Sequence, residues 1–414
     1  MSIGPIFRAM KKNKAAVGLL ILEIALTLTI IISSLNLIKS ARARILKPSG
    51  VELENILALT IKSPGEKYAE ETYLNQVTEK DLRFIRSQPG VVSASPIHYW
   101  PLKGGGSLTH LKLMDAPDDQ RMRSVIFYCG TQIIQTLGLD LIEGRAFLES
   151  DLPPLIPDET EETATDRPTR STNIIVTLKV AEALFPKGDA LGKTLLAGNN
   201  TCTIIGIVRK MYSRYGSEDS LGEKITFYPF RPASPSFTGI LVKTEGEMFD
   251  AHFTTLEEKL QISYPNRIIS TESLAELKAK GLFGDRIFIK MLSIVMVLLL
   301  FVTILGIYGM TSFSVAKRKN QIGVRRALGA RKRDIISYFL SETGLIVLMG
   351  SSCGVILALI MNGVFMAALD SMPPLTVSII VLSVAALFLL SLLSTLPPSL
   401  KATRIPPIVA SKSI

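Results

Sequence analysis

The segment Gly188 to Thr194, which reads G-D-A-L-G-K-T, comes within one residue of a phosphate-cradling loop. That chemistry needs G-x-x-x-x-G-K-[ST], because glycine-rich backbone N–H groups wrap the phosphates while the lysine reaches them. The first required glycine is Lys187 here, so the segment reads as a turn entering a strand. His98, His110 and His252 show no H-x-x-x-H or H-E-x-x-H spacing. Cys129 and Cys202 are far apart in the chain, so a zinc site has little support. They suit either a disulfide in an oxidising compartment or two buried thiols. No G-x-S-x-G elbow for a serine nucleophile occurs. Glu23 sits inside an apolar run, roughly 12 Å deep at about 1.5 Å per helical residue. A carboxylate there suits a proton or cation site. With no second membrane carboxylate to complete a relay, the preferred reading is a protonated or hydrogen-bonded Glu23 facing another helix or subunit.

The most structured chemistry lies in Ala316 to Glu342, AKRKNQIGVRRALGARKRDIISYFLSE. Ile322, Arg325, Arg326, Gly329 and Ala330 predict a short helix and a turn. Asp334 opens a second helix, whose Ile335, Ile336, Phe339 and Leu340 lead into an apolar span. A generic basic loop flanking a membrane would not need this order. A short helix held parallel to the bilayer would dock on a cytoplasmic partner.

Four apolar segments must position these residues: 15–38, 287–313, 344–369 and 377–396. Spanning about 30 Å of hydrocarbon takes roughly 20 helical residues, and each segment qualifies with almost no charge. The N-terminal segment 1–14 is basic like the start of a signal peptide. The apolar stretch after it exceeds the usual h-region of about 7–15 residues, and Ser34-Leu35-Asn36 is a poor cleavage site, so we read a retained anchor. Basic residues set the orientation. Arg8, Lys11, Lys12 and Lys14 precede the first span, eight basic residues fill the loop 314–343, and Lys401, Arg404 and Lys412 lie in the tail 397–414. Between positions 39 and 290 the chain holds 31 basic and 32 acidic residues. The net charge of +10 is therefore cytoplasmic and is not a nucleic-acid patch. Both termini are expected inside, with the domain 39–286 and the short loop 370–376 outside.

Within 39–286, strands are predicted at Ile56–Ile61, Val91–Ser95 and Gly239–Lys243, and helices at Thr78–Ser87, Phe249–Leu260 and Ser270–Arg286. The middle, 125–225, carries strands at Ile174–Val176 and Thr203–Val208 and a Pro- and acid-rich loop, Glu149–Ser171, expected to be flexible. The fold class expected is an α-helical membrane protein with four transmembrane helices, one plus three. Its large α+β extracytoplasmic domain is made of two subdomains, one from 50–124 and 226–286, the other inserted at 125–225.

The loop motif resembles that of the MacB/FtsX-type family of ABC transporter permeases, whose pattern runs R-x-x-E-I-G-I-R-x-A-L-G-A-x-x-x-x-I and then F-L-x-E. Ile322, Gly323, Arg325, Ala327, Leu328, Gly329, Ala330, Ile335, Phe339, Leu340 and Glu342 match it, and Gln321 stands where the family usually has Glu. That departure would alter a contact with the ATPase without removing the interface. Glu143-Gly144-Arg145 with Phe147, Leu184-Phe185-Pro186, Leu191-Gly192-Lys193 and Ile204 to Val208 are similar to outer-domain pieces of the family, and Pro397 to Ala410 to its ending.

The resemblance implies a porter-like 50–124 and 226–286 and a sabre-like 125–225. It implies an ATPase-coupling loop carrying Gln321, Ile322, Gly323, Arg325, Arg326, Ala327, Leu328, Gly329, Ala330, Asp334 and Glu342. It implies no cofactor on this chain, with ATP and Mg on a separate cytoplasmic ABC ATPase subunit, and a second permease copy or paralogue in the bilayer. The location implied is the bacterial inner membrane. The function implied is mechanotransmission for efflux of a peptide, antibiotic or other amphiphile, with a periplasmic adaptor and outer-membrane channel as further partners. The alternatives are a lipoprotein-releasing permease like LolC or LolE, and an FtsX-like regulator of cell-wall hydrolases. A membrane-anchored periplasmic enzyme is the reading from another class, and the missing catalytic cluster argues against it.

Overall fold

Runs such as Ile56-Leu57-Ala58-Leu59 have no polar face, which suits a strand buried on both sides. In the computed structural model Ile56–Lys62 forms β1, and its residues alternate between two cores. The structure describes residues 14–104, 106–153, 171–198, 200–213, 221–231, 239–246, 249–263, 266–368 and 374–405. The predicted loop Glu149–Ser171, the segment 1–14, the loop 370–376 and the tail beyond 405 lie mostly or wholly outside the described residues. Contacts divide the chain into two units, one running from Leu46 to Gly284 and the other made of residues up to 45 and from 285 onward.

The first long helix, Lys14–Leu46, is α1; the unit 46–284 begins with β1 and continues with α2 (Glu71–Arg86), β2 (Val91–Ile97), β3 (Ser107–Leu113), β4 (Met122–Cys129), α3 (Ile133–Leu137) and β5 (Leu141–Gly144). Then follow β6 (Thr172–Thr177), α4 (Leu178–Leu184), β7 (Thr194–Ala197), β8 (Asn200–Val208), β9 (Ile225–Pro229), β10 (Gly239–Thr244), α5 (Phe249–Ser263), β11 (Ile268–Ser273) and α6 (Leu274–Gly281). β11, β1, β10 and β2 pair antiparallel in that order. One face packs Leu57, Leu59, Ile240 and Val242 against Leu82 and Ile85 of α2 and Leu256 and Leu260 of α5. Arg267 and Asp81 form an ion pair at 2.7 Å beside this layer, with side chains only 1% and 5% exposed.

Six of the remaining described strands close on themselves, while β5 pairs with β8 off the ring. β4 pairs β3, β3 pairs β7, β7 pairs β8, β8 pairs β6, β6 pairs β9, and β9 returns to β4. Alternation sorts their side chains. Leu111, Ile174, Val176, Leu195, Cys202 and Ile204 meet in one cluster, while their neighbours Ile175, Phe127 and Phe227 join the core against the four-stranded sheet.

Two expectations meet a different arrangement. A subdomain inserted at 125 was expected, yet the sheet is continuous through β2 and β4 at Ile97 and Cys129, and the ring already includes β3. The helix expected from Ser270 starts at Leu274, because 268–273 pairs with the free edge of β1 as β11. Ser273 then caps the helix, its hydroxyl accepting from Glu276 N at 3.0 Å while the Glu276 carboxylate accepts from Ser273 N at 3.0 Å. Cys129 and Cys202 are buried free thiols.

Among the described residues, the other unit contains four helices long and apolar enough to cross a membrane. They are α1, α7 (Phe283–Lys317), α9 (Lys332–Ala368) and α10 (Val377–Ala402), with the short α8 (Lys319–Ala327) between α7 and α9. Hydrocarbon offers no hydrophobic drive between helices, so small residues and hydroxyl bonds must join them. Thr27 and Thr303 bond through their hydroxyls at 3.0 Å, Thr29 Oγ1 donates to Gly354 O at 3.0 Å, and Ser394 Oγ donates to Ile304 O at 2.8 Å.

Candidate functional site

The loop between α7 and α9 is built by local signals that close one after another. Gly329 has φ +95°, a left-handed conformation that a side chain resists. Ala330 N donates to Arg325 O at 3.0 Å and Gly329 N to Arg326 O at 3.1 Å, the paired bonds of a Schellman stop for α8. Asp334 Oδ2 then accepts Arg331 N at 2.9 Å, satisfying an N–H that the start of α9 leaves open.

One face of α8 is fastened to the helical unit. Ile322 is buried with Ile335, Phe339 and Ala402, and Gly323 is buried beside it. Arg326 Nη1 donates to Thr403 O and Ile405 O, both at 2.8 Å, where the end of α10 presents unpaired carbonyls and negative dipole. Arg318, the single residue between α7 and α8, donates to Glu342 Oε2 at 2.8 Å, Glu342 Oε1 at 2.9 Å and the Tyr338 hydroxyl at 2.9 Å. Burial works against the Arg318 charge, but the Glu342 hydrogen bonds outweigh it and hold the guanidinium above its ordinary value. Arg325 lies 5.1 Å from the centre of the Tyr338 ring, a cation–π contact.

The opposite face is open. Val324 and Ala327 are exposed there, and Gln321 and Arg325 are exposed at its edge. Val324 is 46% exposed and Leu328 82% exposed, and their i, i+4 spacing sets them on one side. The structure thus brings Ile322, Gly323, Arg326 and Glu342 inward, leaves Val324, Ala327 and Leu328 outward, sets Gln321 and Arg325 at the edge where Arg325 meets Tyr338, and uses Gly329, Ala330 and Asp334 for the turn. Sequence reasoning passed over Arg318, Tyr338 and Val324 as site residues. Arg318 had a signal: Glu342 is an acid in a basic segment, and once buried it needs a cationic partner.

Glu23 stands apart from this site. It faces α7 at Gly306, where an added Cβ would lie 2.7 Å from the carboxylate. Its Oε1 is buried without a hydrogen-bond partner among the described residues. The segment Gly188–Thr194 is a turn leading into β7. Among the described residues no group of three or more His, Cys, Asp or Glu side chains is placed to hold a metal.

Residues 17–252 match the MacB-like periplasmic core domain, and residues 293–407 match the FtsX-like permease C-terminal domain. The chain is 23% identical over 420 residues to the macrolide export ATP-binding/permease protein MacB of Hahella chejuensis, an alignment covering 97% of this chain and 58% of that one. It is 24% identical over 323 residues to the protein of the same name from Neisseria gonorrhoeae, covering 73% and 44%. The chain therefore spans about half the length of the curated relatives it matches. Among solved structures, the periplasmic region of MacB from Actinobacillus actinomycetemcomitans aligns with a TM-score of 0.36 at 16% identity, covering 57% of this chain and 96% of that one.

Proposed function

Because the chain belongs to the MacB/FtsX-type permease family, we propose that it is a transporter's membrane subunit that couples ATP hydrolysis on a partner chain to movement of its periplasmic domain. The observation that carries this reading is the two-sided α8. Its inner face is bolted to α9 and α10 by Ile322, Arg326 and the Arg318–Glu342 pair, while Val324 and Leu328 present apolar surface outward. Exposed apolar side chains rimmed by arginines suit a protein partner. A push on α8 would reach the membrane helices because its anchors are buried and directional.

In this reading ATP and Mg sit on the partner, a cytoplasmic ABC ATPase, and the subunit works as a pair of permeases in the bacterial inner membrane with both termini cytoplasmic. The four-stranded sheet with α2 and α5 acts as one periplasmic subdomain and the six-strand ring as a second. The related proteins are macrolide exporters by name, which favours efflux of an amphiphile through a periplasmic adaptor and an outer-membrane channel. The test is Val324→Glu with Leu328→Glu, made in the chain purified from its host membrane. The co-purifying ATPase and its turnover should both be lost, while the variant still elutes as a folded membrane protein. Partner binding and turnover at the level of the unaltered chain would refute the docking face.

A further inference from the structure

The six-strand ring of the unit 46–284 holds a cavity of about 500 Å³. Side-chain alternation shows where it lies. The residues sharing a face with Leu111, Ile174, Leu195 and Ile204 point into the ring and fill it from one end. Two residues away along the strands, the same face carries small or polar groups and the ring is left open. Every strand of the ring contributes to the lining: Thr109 from β3, Tyr128 from β4, Thr172 from β6, Ala197 from β7, Cys202 from β8 and Tyr228 from β9. A ring mouth of this kind is a common place for a small-molecule site, and the volume falls within the roughly 300–1,000 Å³ of such sites.

The lining specifies the chemistry. Tyr128 packs 5.7 Å from Tyr228 and 5.8 Å from Phe230, centre to centre, and all three rings line the cavity. The Tyr228 hydroxyl meets Cys202 Sγ at 3.4 Å, and burial pushes the phenol up, so it stays neutral. Among the described lining residues Asp151 is the only charged one, and its carboxylate is already engaged. Its Oδ2 accepts from Arg145 Nη1 at 2.6 Å and Leu148 N at 2.7 Å, and its Oδ1 accepts from Arg145 Nη2 at 3.0 Å and Asn173 Nδ2 at 2.7 Å. An ionised carboxylate has about four acceptor sites, and here all are taken. Among the described residues a bound molecule therefore meets aromatic faces, hydroxyls and a thiol, with no free charge to neutralise its own.

We propose that this cavity is a binding site for a neutral aromatic amphiphile, held against the Tyr128, Tyr228 and Phe230 rings with its polar end toward Thr109 and Thr172. A charged ligand is disfavoured because no described lining group is free to compensate its desolvation. The assignment does not rest on the ATPase-coupling reading, and its test needs neither nucleotide nor partner, so either can fail alone.

The test uses the full chain in lipid nanodiscs with 3-fluorotyrosine, Tyr128 and Tyr228 being assigned in the 19F spectrum from Tyr128→Phe and Tyr228→Phe. The probe is p-cresol, compared with its charged counterpart 4-methylbenzoate. The Tyr128 and Tyr228 resonances should shift saturably with p-cresol while Tyr338 in the helical unit stays fixed. 4-Methylbenzoate should bind at least about tenfold more weakly. Ala197→Trp, which fills the ring, should weaken p-cresol by at least about tenfold, and Thr172→Phe serves as a second plug should the first not fold. No saturable shift, an equal response at Tyr338, equal binding of the benzoate, or p-cresol binding unchanged by a folded plug would each overturn the proposal.

Discussion

Glu342→Ala strips the Arg318 guanidinium of two hydrogen bonds, 2.8 and 2.9 Å long, at a site where the two side chains are only 13% and 8% exposed. Removing one partner of a fully buried ion pair costs about 3–5 kcal/mol. Arg318 keeps its 2.9 Å bond to Tyr338 and some access to solvent, which lowers the expected cost to about 2–3 kcal/mol. The loss falls on the attachment of α8, because Arg318 is the one residue joining it to α7. Local opening of α8 should then rise by about 30- to 150-fold, since 1.4 kcal/mol is tenfold. Trypsin reads this opening at Arg325 and Arg326 in vesicles that expose the loop, provided that opening and closing outpace cleavage. The double variant Arg318→Ala/Glu342→Ala removes the orphaned charge. It should open less than the two single variants together imply, with a coupling of about 1–3 kcal/mol. Cleavage of Glu342→Ala within about threefold of the unaltered chain, or strictly additive costs in the cycle, would refute the reasoning.

Gly354→Leu should separate α9 from α1, because even a Cβ there lies 2.8 Å from Ala25 O; we expect a loss of about 1–3 kcal/mol, read as a lower unfolding temperature in detergent. The Asp151 carboxyl is held down to about 2, first by its hydrogen bonds to Arg145. Its folded value lies below its unfolded value near 3.8, so its contribution is complete at neutral pH and is lost as the pH falls from about 4 toward 2. Allowing for the 45% exposure of Arg145, Asp151→Asn should cost about 1 kcal/mol at pH 7 and almost nothing at pH 2. Hydrogen exchange at Leu148 N, which donates to Asp151, checks this, and equal loss at both pH values would count against it.

Much of the loop between α7 and α9 was legible because its signals are local. Gly329, Asp334 and the spacing of Ile322, Ile335 and Phe339 act within a few turns of chain, and periodicity with caps reads that range well. The Arg318–Glu342 pair spans 24 positions, and neither residue differs in type from many surface charges. Only burial, supplied by the packing of α7 against α9, turns them into an anchor. Arg326 is similar: its partners are the backbone carbonyls of Thr403 and Ile405, which carry no sequence signal at all.

The four long apolar runs and their basic flanks were set by composition alone, because transfer into hydrocarbon is a property of each segment by itself. The strands at 56, 91, 174, 203 and 239 were likewise visible as short apolar runs between turn residues. Their partners were not. Strand pairing joins residues far apart in sequence, and the side chains facing the ring differ from those facing away only by parity. Thus Ser107–Leu113 and Ile268–Ser273, with mixed polar residues, became strands only because β4 and β1 offered them an edge. The cavity within the ring, with Tyr128 and Tyr228 side by side, follows from that long-range closure and from nothing shorter.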